Sequence, residues 1–268
     1  MYKTIELDTL EKVMNLVTEQ EYNDRSKRYR SSFVYHGLSN SKFELITSLR
    51  RNCKHLSSEL ESSILRNFTK YALSEDPELI SCVWKQMILG QHHGLPTRLL
   101  DWTYSPLTAL HFATTENSLG KMEHHDCVVW KIDIEEIHRL LPEKYVDVLE
   151  SEHADIFTVD LLSKIAPGTD DYDEDMKDSS MVIIEPPSID PRIVNQYSYF
   201  SIIPTGVENI EDFLNKNTEN TVKYVIKKEL RWRIRDMLDQ LNINERTVYP
   251  GLDGLSKWLA RHYFVKGE

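Results

Sequence analysis

Cysteine is scarce in this chain. Cys53, Cys82 and Cys127 stand alone with no Cys-x-x-Cys pair, which argues against a zinc knuckle and against a disulfide framework. No apolar run is long enough to span a bilayer. The opening residues, Met-Tyr-Lys-Thr-Ile-Glu, lack the basic and then apolar pattern of a leader peptide. A soluble, cytoplasmic protein with no membrane partner is therefore expected. The phosphate-cradling patterns Gly-x-x-x-x-Gly-Lys-Ser/Thr and Gly-x-Gly-x-x-Gly are missing, as is the Gly-x-Ser-x-Gly elbow of serine hydrolases. The adjacent pairs His92-His93 and His124-His125 point their side chains apart on a helix or a strand, so no metal site is expected. Positive charge is in deficit: 32 Lys and Arg face 43 Asp and Glu, a net charge of −11. That balance excludes a surface built to bind nucleic acid all over and leaves room for a local basic groove.

What is present suits a folded core. With 268 residues, 40 % hydrophobic and 28 % charged, the chain fits one large domain or two small ones. No internal repeat or Gly/Ser-rich linker divides it. Leu10, Val13, Met14 and Val17 recur at helical spacing, with Asp8 or Thr9 as the cap. A basic, solvated link follows over residues 23–32. Phe33-Val34-Tyr35 reads as a buried strand ending at His36-Gly37, and residues 43–49 as a second strand. Ser58 and Glu61 have capping-box spacing ahead of a helix, and Pro77 suits the first turn of the next, which Gly90 should stop. Ser105-Pro106 opens another helix. Cys127-Val128-Val129-Trp130 is apolar on both faces and so belongs inside a sheet. Residues 167–180 are acidic without calcium-loop spacing and read as a solvated loop. Residues 181–184 and 200–203 read as strands, with helical turns over 192–196. Ile226, Leu230, Ile234, Leu238 and Leu241 predict an exposed amphipathic helix, and a further helix follows Tyr249-Pro250-Gly251. One α+β domain with a helical C-terminal segment results, divided into an N-terminal helix and linker over 1–32 and the main domain over 33–268.

The densest chemistry lies in residues 91–103, Gln-His-His-Gly-Leu-Pro-Thr-Arg-Leu-Leu-Asp-Trp-Thr. Charged Arg98 and Asp101 sit among leucines and Trp102 with no clean helical or strand period. Burying such charges is costly unless they pair or face a ligand. One alternative is a brace, an Arg98–Asp101 ion pair with Gln91, Thr97 and Thr103 satisfying backbone groups around it. The other is a binding site. His92 or His93 is a candidate base with no proton identified for it to take.

The order of motifs resembles the FRG domain family. The matching segments are Tyr35-His36-Gly37, Ser48-Leu49-Arg50, Glu59 with Phe68, residues 91–103, and Ser105-Pro106-Leu107-Thr108-Ala109-Leu110-His111-Phe112-Ala113. Weaker matches are Pro191-Arg192 with Gln196 and Phe200, and residues 249–255. The chain departs from the family where it has His36 in place of the usual arginine and Tyr197 where a glycine commonly follows the glutamine. The family's order of motifs is similar, at long range, to the ADP-ribosyltransferase fold. That resemblance implies a small split mixed or antiparallel sheet with flanking helices, and NAD as substrate. His36, Gln196 and Glu185 become the expected catalytic residues, and Tyr35, Gly37, Arg98 and Trp102 the NAD-binding ones. Gln91, His92, Thr97 and Asp101 complete the structural motif. His36 and Gln196 would hold the ribose, Gly37 would let backbone amides approach the carboxamide, and Arg98 would pair with the pyrophosphate. The implied activity is ADP-ribosyl transfer to a protein or nucleic-acid acceptor, or NAD glycohydrolysis, in a toxin or anti-phage defence effector with a partner protein. The rival expectation is a non-catalytic FRG module that senses a phage or host component. A third is RNA binding or nuclease action through the basic C-terminal helix.

Overall fold

Apolar residues alternate along the strands, and the alternation sends them into separate cores on the two faces of one sheet. In the computed structural model, which describes residues 1–24, 26–74, 79 and 82–267, the strands are β1 (Lys3–Leu7), β2 (Glu21–Asn23), β3 (Arg28–Arg30), β4 (Phe33–Leu38), β5 (Leu99–Thr103), β6 (Cys127–Asp133), β7 (Phe157–Thr158), β8 (Val182–Glu185), β9 (Ser198–Ile202) and β10 (Val222–Ile226). Eight form one mixed sheet ordered β1-β10-β6-β4-β5-β9-β8-β7, and β2 with β3 forms a separate hairpin. The fold is mixed α and β, as expected, but its main sheet is large where a small one was expected. β6 is buried along its whole length, as its apolar run requires.

On one face Val34, Leu100, Trp102, Val128, Trp130, Ile132 and Ile183 pack under α6 (Ile134–His138) and α11 (Ile210–Asn217). The opposite face carries two cores. Over β4, β6 and β10, the helices α1 (Leu10–Thr18), α5 (Pro106–Ala113) and α12 (Arg231–Gln240) cover Phe33, Tyr35, Cys127, Val129 and Tyr224. Over β5, β8 and β9 lie α3 (Ser57–Ala72), α4 (Val83–His92), α7 (Glu143–Ser151), α8 (Val159–Ile165) and α9 (Thr169–Met176). The division falls between β4 and β5. These two strands share a single ladder pair, Tyr35 with Thr103, whereas β4 pairs with β6 from Phe33 to Leu38. Beyond Tyr35 the sheet parts.

Several local expectations hold. Thr9 caps α1 by accepting from the Lys12 amide, and Ser105 caps α5 by accepting from the Thr108 amide, with Pro106 in the first turn. Others are corrected by tertiary contacts. Residues 43–47 form no strand, and Thr47 instead caps the short helix α2 (Ser48–Cys53). Glu61 makes no capping box, because it turns inward to a buried guanidinium, a stronger partner than an exposed amide. α4 runs past Gly90 to His92; a Cβ at Gly90 would lie 2.6 Å from Leu95, and the left-handed turn comes at Gly94, φ 85°. The acidic stretch is helical: Asp170 and Asp171 occupy the favourable first turn of α9, while Tyr172 and Met176, one turn apart, are buried. Within the basic link, residues 28–30 pair with residues 21–23 as β3 and β2, while residue 25 and Pro77 lie outside the described residues. Residues 222–226 are a strand, and α12 is not an exposed basic helix, since Arg231 and Arg235 are buried. Two helices close the chain, α13 (Glu245–Val248) and α14 (Leu252–His262), preceded in sequence by α10 (Pro191–Asn195) beside β9. Among the described residues no helix is long and apolar enough to cross a membrane.

Gly37 is the tightest contact behind the parting strands. A Cβ there would come within 2.2 Å of the Ala109 carbonyl oxygen and 2.7 Å of the Ala113 amide nitrogen, both backbone atoms of α5. The missing side chain lets α5 lie directly on β4, which is a different use from admitting a carboxamide. Gly37→Ala is expected to cost roughly 1–3 kcal/mol, the usual range for overpacking, read as a lower urea midpoint with an unchanged slope.

Candidate functional site

The parted strands open a cleft of about 400 Å³, within the usual range for small-molecule sites. β4 contributes Tyr35, His36, Gly37 and Leu38, and β5 contributes Asp101, Trp102 and Thr103. Phe112 of α5 and Thr115, Glu116 and Asn117 in the loop beyond it add to the lining, as do Arg192 of α10, Gln196 just past it and Ser198 at the start of β9. Gln91 of α4 and the loop residues Ser39 and Phe43 complete it.

His36 bridges the gap between the strands. Its Nδ1 lies 2.6 Å from the Asp101 carbonyl oxygen, near the point where the next ladder bond would have formed. A carbonyl oxygen only accepts, so Nδ1 carries the proton and Nε2 keeps a lone pair. Burial pushes the imidazole below its ordinary pKa, against the opposing pull of the Asp101 carbonyl and carboxylate, with Arg51 adding to the depression. The ring leans edge-on against Trp102, with centroids 5.7 Å apart. Neutral His36 thus offers a base of defined tautomer among the cleft residues.

The Asp101 carboxylate is held by Gln91, whose Nε2 donates to Oδ1 at 3.0 Å. The amide oxygen of Gln91 accepts from Thr97 Oγ1, and Thr97 Oγ1 accepts from the Leu99 amide at 3.2 Å. Ser48 and Thr97 exchange hydrogen bonds, with the Thr97 amide donating to Ser48 Oγ at 3.0 Å. Gln91, Thr97 and Asp101 thus form one linked unit. His92 stands beside it, 3.6 Å from Asp190, with its pKa lowered chiefly by burial. Thr103 Oγ1 donates to the Gln196 carbonyl at 2.6 Å, and Gln196 Nε2 donates to the Val248 carbonyl at 3.1 Å. This last bond anchors the cleft wall to α13. Arg192 lies over the Tyr249 ring, 5.0 Å from its centroid, and forms no ion pair among the described residues.

His36, Gln196, Tyr35, Gly37, Trp102, Gln91 and Asp101 meet around this cleft. Tyr35 and Trp102 are floor residues, 2 % and 3 % exposed, and Trp102 donates its indole N–H to Ser201 at 2.9 Å. Phe43, 53 % exposed, is the aromatic ring free to lie on a ligand. Arg98 and Glu185 stand apart from the cleft lining. Glu185 is exposed at the end of β8. Arg98 is buried, and its expected partner Asp101 is replaced by two others: Nε donates to Glu61 Oε1 at 2.8 Å, and Nη1 to Asp173 Oδ1 at 2.7 Å, with Nη2 also on Glu61. Burial works against its charge, but Glu61 and Asp173 outweigh that and raise the pKa. Arg98 therefore ties α3 and α9 to the start of β5.

Sequence reading missed Glu116 and Asn117. The signal was a Thr-Thr-Glu-Asn run directly after a helix of otherwise apolar character. Glu116 accepts from the Ser118 amide at 3.3 Å and stands 4.0 Å from Arg231. Among the described residues no group of three or more His, Cys, Asp or Glu is placed to hold a metal ion.

In comparison with known proteins, residues 31–121 match the family model described as FRG domain, a span that runs from the residues before β4 past Asn117. No curated protein and no solved structure matches the chain.

Proposed function

We propose that this chain, which carries an FRG domain at residues 31–121, binds NAD in the cleft between β4 and β5 and transfers ADP-ribose to a macromolecular acceptor. What supports this most is that His36, an imidazole whose tautomer is fixed by the Asp101 backbone carbonyl, lines the same cleft as the Asp101 carboxylate, which Gln91 tethers. Cleaving the nicotinamide–ribose bond sends the bonding electrons to the nicotinamide nitrogen, which leaves neutral, and positive charge develops on the ribose. A carboxylate held by Gln91 stabilises that charge better than the neutral amide of Gln196. The His36 Nε2 lone pair accepts a hydrogen bond from a ribose hydroxyl or takes the proton of the attacking acceptor. When water is the acceptor, the same steps make the protein an NAD glycohydrolase. The Asp101 and Glu116 carboxylates suit the cationic nicotinamide end of NAD. The family resemblance extends this to a toxin or anti-phage effector acting on a protein or nucleic acid.

Purified protein incubated with labelled NAD and a cell lysate is expected to release nicotinamide and label an acceptor. Asp101→Asn is expected to lower that rate by about 10²-fold or more, and His36→Asn by a similar factor. Folded protein that neither binds NAD nor releases nicotinamide would overturn the proposal.

A second function is favoured by the engagement of Gln196 with Val248 and by the position of Glu185 away from the cleft. It is a non-catalytic module that senses a phage or host component. Its biological effect would survive Asp101→Asn in folded protein, whereas that of an ADP-ribosyltransferase would not.

A further inference from the structure

A second cavity, of about 530 Å³, adjoins the cleft and shares His36, Leu38, Phe43, Gln91 and Asp101 with it. Its outer wall is the segment from Lys42 through α2. Lys42, Arg51 and Lys54 line it, all three are exposed, and none forms an ion pair among the described residues. Arg50 lines it too but is already engaged, with Nη1 donating to the carbonyls of Val207, at 2.9 Å, and Glu208. The carboxylates in this lining are Glu44 and the shared Asp101, so four cations face two anions in a chain whose net charge is −11. Like charges gathered in a concavity repel one another and are relieved by a bound anion.

We propose that Lys42, Arg51 and Lys54 form a phosphate subsite that takes the diphosphate of a nucleotide whose ribose lies at His36. The nucleotide's orientation rests on the NAD proposal, whereas the anion site rests on these cations alone. Phe43, exposed and lining both cavities, stands where the two halves of such a ligand would join. The subsite replaces Arg98, whose guanidinium is occupied by Glu61 and Asp173. The diphosphate belongs to a free nucleotide and not to a nucleic-acid backbone, because a chain of net charge −11 repels a long polyanion outside a local basic groove. Arg51 is close enough for its field to disfavour protonation of His36, which places the cationic wall within reach of the same ligand.

Calorimetric titration of the full chain with pyrophosphate, ADP, adenosine, a single-stranded oligonucleotide and NAD tests the subsite. Pyrophosphate and ADP are expected to bind, ADP at least about tenfold more tightly than adenosine, with binding weakened by added salt. Arg51→Gln with Lys54→Gln is expected to weaken ADP and NAD by about tenfold or more, while Lys121→Gln, an exposed charge outside both cavities, leaves them unchanged. Both positions of the double variant are exposed, so it retains the fold. Equal binding of ADP and adenosine would overturn the subsite, as would an oligonucleotide that outcompetes ADP. NAD bound at full affinity by the double variant would also overturn it while leaving the NAD proposal standing. Pyrophosphate and ADP bound through Arg51 and Lys54, with no NAD binding, would support the subsite and remove the NAD proposal.

Discussion

Arg98→Met is expected to destabilise the fold by about 3–5 kcal/mol, the range for removing one partner of a buried ion pair. Arg98 is 5 % exposed and Glu61 4 %, so the Glu61 carboxylate left behind has little access to water. Asp173 loses its partner as well, although its side chain still accepts from the Thr205 amide at 3.0 Å. Three elements come apart together, because α3 contributes Glu61, α9 contributes Asp173 and Arg98 immediately precedes β5. Urea unfolding should show the loss as a lower midpoint. Adding Glu61→Gln and Asp173→Asn to Arg98→Met should recover much of it, since the uncompensated charges are then gone. Arg98→Lys keeps one positive charge but loses the forked geometry, and is expected to lower stability while leaving ADP affinity unchanged. A loss of ADP affinity equal to that of the Arg51 and Lys54 double variant would instead return Arg98 to the ligand.

Mild acid is expected to remove about 4 kcal/mol of stability by pH 5, before most carboxylates titrate. Two fully or nearly buried histidines cause it. His111 Nδ1 lies 2.9 Å from Arg235 Nη1, and because guanidinium only donates, the ring nitrogen must accept. His138 Nε2 accepts from the Ile183 amide at 3.1 Å. Protonating either acceptor breaks its bond. Burial, aided by Arg235, pushes His111 down to about 3, and burial pushes His138 down to about 4. Both folded values lie below that of a free histidine, so the unfolded chain binds protons first as pH falls. The stabilisation is complete above about pH 6.5 and is lost progressively as pH falls toward the folded values. At pH 5 each histidine lies about 1.5 pH units below its unfolded pKa, worth about 2 kcal/mol. His111→Asn and His138→Gln place amide oxygens near the same acceptor positions without titrating there. Each is expected to remove about 2 kcal/mol of the pH 7 to 5 loss, measured as urea midpoints across that range, with His36 and His92, whose pKa values are also lowered, adding to what remains. An unchanged slope in both variants would rule out these histidines as the cause.

Elements defined by near neighbours were legible before any tertiary contact was known. α5 is an example, with Ser105 as cap, Pro106 in the first turn and Leu107 to Ala113 behind them. β6 is another, because seven consecutive buried residues need cover on both faces. The concentration of polar groups in residues 91–103 also located the structural unit beside the cleft. Its internal pairing was not legible. Arg98 and Asp101, three residues apart, stand on opposite sides of that role, one in an ion cluster and the other in the cleft. The burial of Arg231 and Arg235 was hidden in the same way, since their partners lie on the α5 side and in α13.

Local spacing and caps settle helix and strand type because they depend on residues within a turn or two, and the family signature is likewise carried by contiguous residues. Where β4 and β5 part, which carboxylate meets Arg98, and which cations line the groove are decided only by packing. Gly37 admits the α5 backbone, the cover on that face divides between β4 and β5, and Glu61 and Asp173 arrive from helices far along the chain. Partners separated by 37 and 75 residues leave no periodic trace in sequence, and it is they that turn Arg98 inward and leave His36 with Asp101 at the opening.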